Sequence, residues 1–146
     1  MRLFALILIA TLCASCQHTR SQLPTDKQDL SADGPVAQLS DSDFEGVTYI
    51  FQTTRSSIRS TPKWKPNEEF PPLSPRKAEA AALGRAHQLR PDVSTWNTES
   101  ICLNYIGDDW FYLVKLWRAD IAITGLPYFL EVPVLMDGNA LPAKKK

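Results

Sequence analysis

SPRKAEAAALGRAHQLRP, residues 74–91, followed shortly by SICLNYIGDDWFYLVKLWR, residues 100–118, decides the fold. Ser74 before Pro75 is a helix start: the hydroxyl accepts from an orphan amide, and proline at the first helical position gives up a donor that has no partner there. The spacing predicts a helix to Leu89 or Arg90, where Pro91 stops it. Ala78, Ala82, Ala86 and Leu89 fall three or four apart on one side, with Ala81 beside them. A stripe this small lets a helix lie close against a sheet, and reads as core. In 100–106, Ile101, Leu103 and Tyr105 alternate with Cys102, Asn104 and Ile106, and Gly107-Asp108-Asp109 makes a turn. In 110–118, Trp110, Tyr112, Val114 and Leu116 alternate with Phe111, Leu113, Lys115 and Trp117. Both sets are largely apolar, so alternation does not say which one meets the helix. After a longer connection over 120–127, residues 128–135 read as a third strand, which Pro133 assigns to an edge or a bulge. Met136-Asp137-Gly138-Asn139 is the last turn before Leu141. The expected class is α+β, one helix packed on a three- to four-stranded antiparallel sheet.

Toward the N-terminus, residues 47–54 (VTYIFQTT) are rich in β-branched and aromatic side chains and read as a further strand. Residues 55–73 carry Pro62, Pro66, Pro71 and Pro72, so no regular element is expected there. Lys63-Trp64-Lys65 sets one aromatic between two cations, the pattern of a docking epitope, although such a tryptophan also folds back onto its own domain. From Gln17 to Glu45 six acidic residues stand against two basic ones in a polar background, the composition of a flexible tether. The expected division is a leader at 1–15, a tether at 16–45, a strand and proline-rich linker at 46–73, the α-β-β-β domain at 74–142 and a frayed basic tail at 143–146.

Arg2, an apolar run from Leu3 and the small residues before Cys16 have the layout of a secretory leader. The apolar stretch ends at Cys16, short of the roughly twenty residues that cross about 30 Å of hydrocarbon. A short leader ending Ala14-Ser15-Cys16 resembles the lipobox of bacterial lipoproteins. That resemblance implies acylation of Cys16, a membrane anchor through its lipid, and a place in the cell envelope facing the periplasm or exterior. Ordinary cleavage with release of a soluble secreted protein is the alternative. Cleavage removes Cys13 and acylation uses Cys16, which leaves Cys102 as the last thiol, unable to form an internal disulfide and flanked by Ile101 and Leu103 like a buried inert one.

Sixteen basic and sixteen acidic side chains cancel, so no basic field calls for nucleic acid. Two histidines and three cysteines are too few for a histidine-rich metal site or a disulfide framework, and no metal or cofactor is expected. Nucleophilic hydrolysis needs Ser or Cys beside a base, but His18 lies in the tether and His87 on an exposed helix flank. Asp108-Asp109 and Glu68-Glu69 read as solvated turn and linker residues, and no catalytic residue is assigned; the chain reads as no enzyme.

The order of the Ser74-Pro75 helix, residues 101–106, Trp110-Phe111-Tyr112-Leu113-Val114 and residues 129–134 with the Asp137-Gly138 turn resembles a PepSY-like unit, and the related cystatin-like folds also wrap a sheet around one helix. The resemblance spans roughly residues 72–141 and implies a noncatalytic binding or inhibitory module of the cell envelope, without transferring any functional residue. Eight of the fourteen aromatics fall between Trp96 and Phe129. A two-faced aromatic sheet offers Trp110, Tyr112 and Trp117, with Trp64 of the linker, as candidate contacts for another envelope protein or a peptide. The alternative is a self-contained structural envelope lipoprotein whose sheet is covered by its own residues 47–73.

Overall fold

The computed structural model describes residues 36–65, 67–120 and 129–146. The leader, Cys16, the tether up to residue 35, Pro66 and most of the 120–127 connection lie outside the described residues. Eight elements follow in order: β1 Val36–Phe44, β2 Val47–Thr54, α1 Arg55–Arg59, α2 Pro75–Leu89, β3 Trp96–Ile106, β4 Asp109–Arg118, β5 Phe129–Leu135 and β6 Ala143–Lys145. The fold mixes helix and sheet, as expected. In place of one sheet there are two antiparallel three-stranded sheets, ordered β1-β2-β6 and β3-β4-β5.

The second of these packs against α2. Ser74 Oγ accepts from the Lys77 amide at 3.4 Å, Pro75 occupies the first turn, and α2 ends at Leu89 with Arg90 as its cap. Ala78, Ala82 and Ala86 are fully buried, and α2 lies against β3, β4 and β5. Tyr112, Val114 and Leu116 stand directly opposite Val134, Val132 and Leu130. All six are buried, and the Tyr112 hydroxyl donates to the Leu73 carbonyl at 3.0 Å, just before the helix. The Tyr112 side of β4 is therefore the one that meets α2. Strand β3 starts earlier than expected, at Trp96, with a bulge between Thr98 and Ser100.

The first sheet is built from segments expected to be irregular. Strand β1 occupies the end of the expected tether, and Phe44 has no exposed surface. Its pattern is hard to read because the register shifts between Gln38 and Ser40. Ala37 and Leu39 pack inward before that bulge; Ser40, Ser42 and Phe44 do so after it. Glu45 and Gly46 then form a two-residue hairpin turn with φ of 49° and 78°. Two positive φ values define the mirror-image turn that matches strand twist, a geometry that suits Gly46 and strains Glu45. Helix α1 is a second correction to the linker: the Thr54 hydroxyl accepts from the Ser57 amide at 3.2 Å, and Ile58 is buried, all before the first proline of the segment. The third correction is the basic tail, where Ala143, Lys144 and Lys145 pair with Phe51, Ile50 and Tyr49 as β6.

The sheets meet where the inward face of β1 lies along β5. Ser40 Oγ donates to the Glu131 carbonyl and Ser42 Oγ accepts from the Glu131 amide, each at 2.8 Å. Glu131 thus turns both backbone groups away from β4, and two hydroxyls stand where a neighbouring strand would be. Pro133, two residues on, sends its carbonyl the same way to the Leu141 amide at 3.0 Å. Its missing N–H falls on the outer edge of β5, where a proline is tolerated.

Candidate partner-binding groove

Trp64 and Trp110 are brought together at the β3–β4 hairpin. Their rings pack edge to face with centroids 4.9 Å apart, and Tyr105, opposite Trp110 in the register, lies 5.4 Å from the Trp110 ring. A short turn holds Trp64 in place: its indole N–H donates to the Glu68 carbonyl at 3.3 Å, and the Lys65 amide donates to the Glu68 carboxylate at 3.2 Å. Lys63 bridges to Asp109 at the start of β4, pinning the linker across the hairpin. Lys63-Trp64-Lys65 is thus folded onto its own domain, with Trp64 still half-buried and Tyr105 69% exposed.

Two adjoining hollows share Lys63, Tyr105, Gly107 and Asp108. One, of about 470 Å³, is walled by Trp64, Tyr105 and Trp110. The other, about 640 Å³, is bounded by Arg55, Ile58 and Arg59 of α1. Together they form a groove with an aromatic half and a cationic half. Arg55 and Arg59, one helical turn apart, make no ion pair among the described residues.

The other candidates lie elsewhere. Tyr112 is a core residue, 3% exposed, and its burial raises the phenol above its ordinary pKa. It offers nothing to a partner. Trp117 is half-buried on the opposite face of β4, across from Phe129 and Asn97. Trp110, Tyr112 and Trp117 therefore do not make one patch. Arg55, Arg59 and Tyr105 were not singled out from the sequence; the four-residue spacing of the two arginines is the one local sign they carried. Cys102 is half-buried in β3 opposite Leu113, and His87 is exposed. Among the described residues no group of three or more His, Cys, Asp or Glu is placed to hold a metal, and no helix is long and apolar enough to cross a membrane.

A second charged cluster has a structural role. Glu45 accepts from Arg118 at 2.5 Å and from Arg90 at 2.6 Å; Arg90 also binds Asp92, and Arg118 binds Asp120, which caps the Ser94 amide at 2.9 Å. These pairs tie the strained β1–β2 turn to the start of β3 and the end of β4. Hydrogen bonds from Arg118 and then Arg90 hold the Glu45 carboxyl below its ordinary value, Arg90 lowers Asp92 to about 2, and Arg118 holds Asp120 far below the carboxylate range. A carboxyl depressed in the folded state stabilises the fold above its unfolded pKa, and that contribution disappears as pH falls through the folded value. Glu131 acts oppositely, since burial raises it and protonation there favours folding. The network outnumbers it. The urea midpoint should fall between about pH 4.5 and 2, and the gap between wild type and Glu45→Gln should close over that range. A gap that persists unchanged at the acid end would remove Glu45 from the acid response.

Comparison of the chain with protein-family models, with curated proteins and with solved structures finds no match.

Proposed function

We propose that the protein is a secreted, noncatalytic envelope module, anchored by lipid on Cys16, that holds another envelope protein or a peptide in the groove at the β3–β4 hairpin. The observation that carries this reading is the Trp64–Trp110 pair with exposed Tyr105 beside it, an aromatic wall left accessible next to Arg55 and Arg59, which make no ion pair among the described residues. Aromatic side chains of this kind supply large contact area at little entropic cost. The leader motif supports an envelope location, and α2 followed by three antiparallel strands supports the likeness of residues 72–141 to a PepSY-like unit. A self-contained structural lipoprotein is favoured by one observation, that Trp64 covers part of Trp110.

Site-specific photocrosslinking in envelopes separates the two. A photoreactive residue at Tyr105 or Lys65 is expected to yield the same discrete adduct, and one at exposed Lys77 on α2 none. No adduct from the groove positions, or the same adducts from Lys77, would leave the structural reading. In the same preparation Cys16→Ala should move the protein from the membrane to the soluble fraction, since each buried acyl methylene contributes about 0.8 kcal/mol to anchoring. Retention in the membrane would refute the lipid anchor.

A further inference from the structure

We infer that the groove selects an extended acidic peptide segment, one that sets carboxylates beside an apolar side chain. This rests on the binding reading above and adds the chemistry of the partner. The chain as a whole is neutral, and Arg90 and Arg118 are matched by Glu45, Asp92 and Asp120. The groove differs from that cluster. Arg55, Arg59, Lys63 and Lys65 line it against Asp108 and Asp109, and only Lys63 is engaged in an ion pair among the described residues. Arginine cations one turn apart on α1 present two forks toward one side, which suits carboxylates bound bidentately.

The aromatic half next to them asks for an apolar side chain on the same ligand. Asp108 lines both halves, so a continuous polyanion such as a nucleic acid meets repulsion there, whereas carboxylates spaced along a neutral backbone can straddle it. An extended chain is favoured by β3, whose last residues, Tyr105 and Ile106, line the groove. Strand β3 pairs only with β4 among the described residues, so its outer edge offers main-chain hydrogen bonds to a segment leaving the groove.

The test uses the full-length protein in detergent and a fluorescein-labelled peptide of repeating Glu-Leu-Ser triplets, with Gln-Leu-Ser and Lys-Leu-Ser versions and a labelled oligothymidylate alongside. Fluorescence anisotropy should show the Glu peptide binding about tenfold or more tighter than the Gln peptide at low salt, with the preference shrinking at high salt. Arg55→Gln with Arg59→Gln should abolish the preference while leaving the urea midpoint unchanged, since Arg59 is exposed, Arg55 is half-buried and neither makes an ion pair among the described residues. Equal binding of all three peptides, lost in Trp64→Ala, would overturn the acidic selection and keep the groove as a peptide site. No peptide binding at all would overturn both readings. Tighter binding of oligothymidylate than of the Glu peptide would assign the cations to nucleic acid and overturn the inference.

Discussion

Phe44→Ala is expected to lower the unfolding free energy by about 3–5 kcal/mol, measured by equilibrium urea denaturation. Phe44 has no exposed surface; its ring centroid lies 5.1 Å from that of Trp96, and the Arg90 guanidinium sits 5.0 Å above it. Truncation removes the transfer free energy of the ring and leaves a cavity whose walls do not readily collapse. Arg90 is held from the other side by Glu45 and Asp92, and Trp96 begins β3. The loss therefore lands on the joint between the β1–β2 hairpin and the helix-bearing sheet. Phe70→Ala provides the comparison: that ring is 72% exposed, and its removal should stay within about 0.5 kcal/mol. If Phe44→Ala were equally silent, β1 would lie outside the cooperative unit and its segment would behave as the spacer its composition suggests.

The contrast between Phe44 and its polar surroundings explains how much of the fold was legible. Helix α2 announced itself through Ser74, Pro75, the alanine stripe and Pro91, all local signals, and β4 through an unbroken aromatic and aliphatic run. In β1 the apolar alternation is interrupted twice, by a bulge at Leu39 and by serines at two inward positions, so a strand reads as tether. Its hairpin turn uses Glu45-Gly46, where Asn-Gly or Asp-Gly would have been the recognisable pair. Strand β6 is lysine-rich and owes its pairing to β2 rather than to its own propensity. The groove was half legible: Lys63-Trp64-Lys65 and Trp110 were visible as candidates, but their meeting is a tertiary fact. Tyr112 and Trp117 could not be sorted because β4 is apolar on both faces, and it takes the burial of Tyr112, Val114 and Leu116 with the bond from the Tyr112 hydroxyl to the Leu73 carbonyl to show which side the helix takes.

The serine junction carries the other large expected effect. Replacing Ser40 and Ser42 together by alanine should destabilise the fold by about 2–4 kcal/mol, with Ser42→Ala alone accounting for about 1–3 kcal/mol. Serine to alanine removes one atom from side chains that are 9% and 7% exposed, so the loss reports hydrogen bonding rather than a cavity. Without Ser42 the Glu131 amide loses its acceptor, because that amide faces β1 and β4 lies on its other side. Losing Ser40 strips the carbonyl of the same residue, and a carbonyl with two lone pairs is the easier group to satisfy in another way. Both hydroxyls act on one peptide unit, so the double variant should fall short of the sum of the singles, and a double-mutant cycle gives the coupling. Hydrogen exchange at the Glu131 amide should accelerate in Ser42→Ala more than at the Leu116 amide in β4. Unchanged midpoints in all three variants would mean that apolar packing alone joins the two sheets, and the hydroxyls would then be passengers on a contact made by Phe44, Phe51 and Tyr49.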